Sequence, residues 1–314
     1  MICIVAVFIL TAITYYIFDY LLRRLKVGGY HTKHVLVTGC DSGFGQRTVI
    51  RLDNLGFKVF AGCLTEDGRQ YLSKNCSGNV VPFLLDVRSD KSIQSALDLV
   101  KQNLPENTGL WGLVNNAGIL FTMAPTEFCT KSEYQRSMDV NLFGLIEMTR
   151  SFLPLIRKGQ GRIINTTSWA GRLACMAPVY ALSKYGVEAY SDILRREMYT
   201  TGIKVSIVEP GAFTTSIITR KQMLESVHNA YARIPEDIQS VYKVFVENFM
   251  NRILLDVVPP SSNLDLVVDA YIHGLTSRFP RTRYTPGNDS KFLYIPLSYL
   301  PTCLADWILK YNLK

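Results

Sequence analysis

The chain begins with MICIVAVFILTAITYYIFDYLL, residues 1–22, where Asp19 is the single charge, and Arg23, Arg24 and Lys26 follow at once. From residue 34 onward short apolar runs alternate with longer segments whose apolar positions recur at helical spacing, as Val49, Leu52 and Leu55 do. The short runs predict buried strands over 34–38, 57–62, 80–85, 110–114, 161–166 and 203–208, because a strand covered on both faces reads as continuously apolar. The longer segments predict helices over 44–55, 65–75, 89–103, 131–157 and 178–201. Strand and helix in regular alternation predict an α/β chain, a doubly wound Rossmann fold with a mainly parallel sheet. Residues 212–260 break this rhythm, with charged and apolar residues mixed at helical spacing and no clear strand. Ligands bind such sheets at the carboxyl ends of the strands, so an insertion after the sixth strand is expected to act as a substrate lid.

The opening stretch is long enough to cross a hydrocarbon core of about 30 Å as a helix. No basic region precedes it and no small-residue cleavage site follows, which favours an uncleaved N-terminal membrane-anchor helix over a removable signal. Asp19 and the tyrosines at 15, 16 and 20 keep open a helix lying on the membrane or packed on the domain. The organisation read from this is an anchor with a basic flank over 1–28 and one catalytic domain over 29–314. The basic cluster on the C-terminal side places that domain in the cytoplasm by the positive-inside rule, at the endoplasmic reticulum membrane. The tail KFLYIPLSYLPTCLADWILKYNLK is rich in Leu, Tyr and Trp, and either touches the membrane or packs on the core.

The net charge of +8 is spread without a long basic run or an interleaved aromatic platform, so no nucleic-acid partner is expected. Seven cysteines, odd in number and lacking CxxC spacing, suggest neither a disulfide framework nor a metal site. Sequons stand at Asn75, Asn165 and Asn288, and they matter only for a lumenal domain.

Candidate chemistry starts where the first strand meets TGCDSGFG, residues 38–45. A strand, a glycine turn and a helix start present backbone N–H groups and the positive helix end to a pyrophosphate. The absence of a GK[ST] sequence argues against a triphosphate. Further on, Tyr180 and Lys184 lie four apart near a helix start, which puts phenol and ammonium on one face. A tyrosine with a pKa near 10 is a poor base at neutral pH, and a cation nearby favours phenolate. Ser168 closes the fifth strand, where its hydroxyl is placed to hold a reacting oxygen against Tyr180. Asn141 falls inside a helix, where asparagine is mildly unfavourable and its side chain or backbone invites a role.

Taken in order, T38GCDSGFG, N115NAG, N141, S168 and Y180xxxK184 resemble the short-chain dehydrogenase/reductase family, over about residues 33–215. FAGCL, GLWGLVNNAGI, SFLPLIRKGQGRIIN and PRTRYTPGNDSKFLYIPLSYLP are similar to its microsomal branch of retinol dehydrogenases and 3α/17β-hydroxysteroid dehydrogenases. FAGCL and SFLPLIRK are also similar to D-3-hydroxybutyrate dehydrogenase. The resemblance implies that Tyr180 is the general acid/base, that Lys184 lowers its pKa and holds the nicotinamide ribose, that Ser168 positions the substrate oxygen and that Asn141 keeps a water in the proton relay. It also implies that the dinucleotide lies along Gly39, Asp41, Ser42, Gly43, Phe44 and Gly45, then Asp86, then Asn115, Ala117 and Gly118, then Pro210, Gly211 and Thr214. Thr166 and Thr167 precede Ser168 where the family often has serine, and Ser168-x-x-Gly171 fits best.

The second strand ends Gly62-Cys63-Leu64-Thr65, neutral throughout, and no base stands in the glycine loop. Asp41 brings a negative charge toward the adenosine side, so a 2′-phosphate meets repulsion without a partner and NAD is favoured over NADP. The expected activity is NAD-dependent interconversion of a lipophilic alcohol and its carbonyl by hydride transfer at a membrane, in a chain that admits a homodimer. A hydroxy-acid dehydrogenase is the competing enzyme, with Arg172, Arg220 and Lys221 as candidate cations for a carboxylate; a catalytically silent dinucleotide-binding membrane protein is the competing class.

Overall fold

Alternation along the first strand decides the architecture. His34–Thr38, β1, is buried at every position. Val35 and Val37 join a core cluster on one face of the sheet, while Leu36 joins a second cluster on the other. A strand with both faces covered needs a layer of helices on each side. The computed structural model describes residues 2–217, 219–255 and 259–311, for residues 2–9, 12, 252–255, 310 and 311 the backbone only. It has that three-layer form.

The strands β2 (Lys58–Cys63), β3 (Val80–Leu84), β4 (Gly112–Asn115), β5 (Arg162–Thr166), β6 (Lys204–Val208) and β7 (Arg283–Tyr284) join β1 in a sheet of order β3-β2-β1-β4-β5-β6-β7, parallel at every pairing. All six expected strands are present, the first at its expected bounds and the others shifted by one or two residues at their ends, and the strand order reverses between β1 and β4, where such folds bind ligands. β7 lay beyond the sequence pattern because two residues are too short to show alternation. Preceding β1 is α1 (Ile2–Arg24), and the crossover helices are α2 (Gly43–Asn54), α3 (Glu66–Asn75), α4 (Asp90–Asn103), α5 (Lys131–Met138), α6 (Leu145–Lys158) and α7 (Pro178–Glu197). Beyond β6 come α8 (Arg220–Ala232), α9 (Glu236–Leu255), α10 (Asp265–Thr276), α11 (Ile295–Leu297) and α12 (Thr302–Tyr311).

The segment expected to run as one helix over 131–157 is interrupted by a π-helical turn over Asp139–Gly144. Gly144 lies against Val87 so closely that a Cβ there would stand 2.9 Å from the Val87 carbonyl, and a wider turn of this kind commonly marks a functional position. Residues 212–260 fold mainly as α8 and α9, whose apolar faces meet Phe128, Met123 and Ala177 beside the carboxyl ends of the strands.

The expected anchor falls in large part on residues whose side chains lie outside those described. Among the described residues no helix is long and apolar enough to cross a membrane. The C-terminal end of α1 is tied to the domain. The Arg23 carbonyl accepts from the Ser277 hydroxyl at 2.9 Å, Val27 N donates to the Thr276 carbonyl at 2.8 Å, and Asp19 pairs with Arg23 at 2.7 Å and Arg281 at 3.5 Å. Ile13, Tyr16, Phe18 and Leu21 remain exposed along the same helix.

Candidate active site

The glycine loop leaves β1 through Gly39, at φ +68°, where a Cβ would stand 2.8 Å from the Ala117 Cα. Asn116 fastens the turn: its side-chain amide donates to the carbonyls of Thr38 and Gly39, both at 2.9 Å. Those carbonyls are thereby held away from an anion. Thr38 Oγ1 accepts from Asn116 N at 3.1 Å and Ala117 N at 3.0 Å, which locks the turn after β4 to the end of β1. At Gly45 a Cβ would fall 2.2 Å from the Gly39 carbonyl, so the helix must start on a glycine face.

Ser42 stands at the N-cap of α2 without a side-chain cap, and its hydroxyl bonds Ser216 at 2.5 Å instead. The first N–H groups of α2 are therefore left to a ligand, and together with the positive helix end they fit a pyrophosphate. The loop after β6 reaches the same place: Phe44 and Phe213 meet edge to face at 5.4 Å, and Pro210, Gly211 and Thr214 line the cleft. This arrangement fits a dinucleotide.

Asp41 also lines the cleft, but its carboxylate has a job the sequence did not reveal. It accepts from Leu64 N at 2.9 Å, Thr65 N at 2.8 Å and Thr65 Oγ1 at 2.6 Å, fixing the turn between β2 and α3. Gly68 is required beneath it, since a Cβ there would meet the Asp41 Cα at 2.8 Å. Asp86 lines the cleft with Arg88, which grips it bidentately at 2.6 and 2.9 Å and holds its carboxyl below the usual range.

The expectation for Asn115 is corrected. Its amide is buried and donates to Thr149 Oγ1 and Asn165 Oδ1, both at 2.9 Å, behind the strand ends; Asn116, Ala117 and Gly118 line the cleft in its place. Adjacent asparagines at 115 and 116 point to opposite faces of the chain, and only the register of β4 tells which one turns inward. The same network buries the sequon residue Asn165, which bonds Ser191 at 2.9 Å and is closed to glycan attachment.

At the base of the cleft stand Ser168, Tyr180 and Lys184. Lys184 is almost fully buried, and its Nζ donates to the Thr166 carbonyl at 3.0 Å and lies 5.6 Å from the centre of the Tyr180 ring. Burial pushes it down to about 8, with Glu188 opposing. Burial pushes Tyr180 up to about 12, with the Ser168 hydroxyl opposing. Asn141 sits in the π-helical turn, with Oδ1 accepting from Ile119 N at 2.8 Å and Nδ2 donating to the Ile119 carbonyl at 3.0 Å and Ser183 at 2.9 Å. Its side chain is consumed in clamping the loop after β4 to α7, near Lys184.

Two buried residues escaped the sequence reading. Tyr271 on α10 bonds Thr166 at 2.7 Å and donates to Asn116 Oδ1 at 3.2 Å, joining the glycine-loop clamp to the strand that carries Ser168. Glu209 accepts from Arg172 at 3.0 Å, immediately before Pro210. A lone aromatic or acid at such a distance in sequence gives no local signal.

The cleft measures about 1940 Å³, well above the common range for one small ligand. Beyond Tyr180 its lining turns apolar, with Met123, Met176, Met223, Phe245, Phe249 and Leu297.

A family model described as short chain dehydrogenase matches residues 33–225. The chain is 44% identical over 296 residues to 17-beta-hydroxysteroid dehydrogenase type 6 of Bos taurus, covering 94% of this chain and 93% of that one. It is 42% identical over 288 residues to retinol dehydrogenase 7 of Rattus norvegicus, covering 91% and 90%. Among solved structures, a short-chain dehydrogenase from Streptomyces avermitilis matches with a TM-score of 0.67 at 23% identity, over 89% of this chain and 98% of that one. A short chain dehydrogenase from Burkholderia cenocepacia, in complex with NADP, matches with the same score at 22% identity, over 88% and 97%. These two likenesses concern the fold.

Proposed function

The chain belongs to the short-chain dehydrogenase family, and from that premise we propose that it interconverts a lipophilic alcohol and its carbonyl, with NAD as the hydride carrier. The observation that carries this reading is one cleft in which Tyr180, Ser168 and Lys184 stand between a dinucleotide cradle and an apolar hood. The substrate class we favour is a retinoid or a 3α/17β-hydroxysteroid, in keeping with the names of the relatives.

In the oxidative direction the carbinol carbon gives up hydride, the hydroxyl oxygen gives up its proton, and a carbonyl remains. NAD supplies the hydride acceptor and, at its oxidised ring, a positive charge. Ser168 holds the substrate oxygen by a hydrogen bond, Tyr180 takes the proton at its phenol oxygen, and the Lys184 ammonium favours the phenolate that makes this transfer possible. The same groups run in reverse for reduction. Asn141 ties the loop after β4 to the Ser183 hydroxyl beside Lys184.

NAD over NADP is supported by the cradle. The Asp41 carboxylate lies at the end of β2, where a 2′-phosphate would meet like charge. Arg69 and Arg88, bases of the neighbouring segments, are held bidentately by Glu66 and Asp86. The hydroxy-acid alternative loses support from the positions of its candidate cations. Arg172 is engaged by Glu209, and Lys221 is exposed beside Glu225. Arg220 does line the cleft, so hydroxybutyrate belongs in the substrate panel.

We assign the chain to the endoplasmic reticulum membrane, with the catalytic domain on the cytoplasmic side. Support comes from the exposed apolar side chains of α1 and the Arg23–Lys26 flank. A substrate panel tests the function: retinol, androstanediol and hydroxybutyrate, each with NAD and with NADP, following absorbance of the reduced cofactor. Turnover of a lipophilic alcohol with NAD is expected. Turnover of hydroxybutyrate alone would reverse the substrate assignment.

A further inference from the structure

Beneath Lys184 lies a cluster of charges that neither the proposed proton transfer nor the dinucleotide cradle uses. Glu188, one turn further along α7, is buried and accepts from Arg283 Nη1 on β7. The same nitrogen donates to Glu209 Oε1 at 2.8 Å, and Arg283 Nη2 donates to Asp192 Oδ2 at 2.9 Å. Arg172, four residues after Ser168, donates to the same Glu209 oxygen at 3.0 Å. Among the described residues Glu188 Oε1 and Glu209 Oε2 are buried without a hydrogen-bond partner. Buried carboxylate oxygens of this kind are costly unless their charge is used.

Lys184 has the complementary problem. An ammonium carries three donors, and among the described residues Nζ makes one hydrogen bond, to the Thr166 carbonyl. The groups around it are Tyr180 and Glu188 on α7, Ser168 and Thr166 at the end of β5, Asn141 in the π-helical turn and Tyr271 on α10. Of these Glu188 alone is an acid. Residues four apart on a helix share a face. The packing of Gly171 shows how close the two positions come to a common point: a Cβ there would meet the Lys184 carbonyl at 2.9 Å and Glu188 Cγ at 3.1 Å.

We propose that Glu188 is a positioning residue for the oxidoreduction: clamped by Arg283, its buried carboxylate is the counter-charge that keeps Lys184 protonated beside Tyr180. This rests on the reading of Lys184 as the cation that favours the Tyr180 phenolate. Arg283 restrains the carboxylate while Asp192 and Glu209 share the guanidinium, so that Glu188 retains charge to offer the ammonium. Arg172 and Glu209 extend the cluster to the Ser168 turn and the Pro210–Gly211 loop, which joins three parts of the site in one charge network.

The direction of the effect separates this role from a merely structural one. Burial holds Lys184 down at about 8 and Glu188 opposes that fall. Loss of the carboxylate must therefore lower the Lys184 midpoint further, whereas loosened packing would admit water and raise it toward about 10.4. The test is competitive acetylation of Lys184 across pH in the full-length protein with dinucleotide absent, read by mass spectrometry, for the parent, Glu188→Gln and Glu188→Asp. The midpoint is expected to fall by about one unit in Glu188→Gln, a tenfold change in the charged fraction above it. The aspartate variant should lie between that value and the parent. An unmoved or raised midpoint overturns the proposal, and should the glutamine variant not fold, an aspartate variant at or above the parental midpoint does so equally. Labelling requires no turnover, so an error in the substrate assignment would leave this result intact.

Discussion

The Asp41 carboxylate accepts from Leu64 N and Thr65 N and lines the cleft, and the proposed NAD preference gives its charge a second role. Asp41→Asn keeps the shape, loses the charge and can place only one acceptor oxygen against those two donors. We expect the NAD-to-NADP preference in kcat/KM to drop by about tenfold, since removing one like-charge repulsion is worth on the order of 1.4 kcal/mol. An unmoved preference in a variant that still binds dinucleotide would make the residue purely a clamp. The sequence disclosed that an acid stood in the glycine loop, but not what it bonded, because its partners are backbone N–H groups twenty-three and twenty-four residues away. The adjacent asparagines show the same limit. Both were visible at 115 and 116, yet the inward one is set by the register of β4 against β1 and β5.

At the scale of elements, the buried Arg162 explains how α10 is held on the sheet. Its Nη1 donates to the carbonyls of Gly274, Leu275 and Ser277 at 3.0, 2.9 and 2.8 Å, satisfying the C-terminal end of that helix, and its guanidinium stacks on Trp111. Arg162→Met should remove the guanidinium donor from all three, leaving Leu275 only Trp111 Nε1 at 3.1 Å, and destabilise the fold by about 3 kcal/mol, measured by urea denaturation. A loss below about 1 kcal/mol would mean that water replaces the guanidinium. Strands and crossover helices were legible because burial on both faces of the sheet writes itself into continuous apolar runs. The π-helical turn at Asp139–Gly144 was not, since its cause is the approach of Val87 to Gly144 across the structure. Nor was β7, whose two residues pair with β6 only because α10 and the turn before Arg283 bring them there.

For the whole molecule, exposed apolar residues stand at both ends of the chain as well as between them, at Tyr199, Val241 and Val244. Tyr16 and Phe18 on α1 and Phe292, Tyr299 and Trp307 near the C-terminus stand in the open, while Leu293 and Leu297 between the latter line the cleft. Deleting residues 1–22 is expected to release active protein from the membrane pellet into the supernatant. Retention in the pellet would shift the membrane contact to the C-terminal segment. The α/β alternation could be read from hydropathy alone, whereas the depth of the cleft could not, because α8, α9 and the C-terminal segment close over it only in three dimensions. The central claim is that Tyr180 transfers the proton in a dinucleotide-dependent oxidation. Its most direct test is the turnover of Tyr180→Phe with NAD and a lipophilic alcohol, alongside a titration of dinucleotide binding. A fall in kcat of at least about a hundredfold with binding retained is expected; a parental rate in the phenylalanine variant would show that Tyr180 does not transfer the proton.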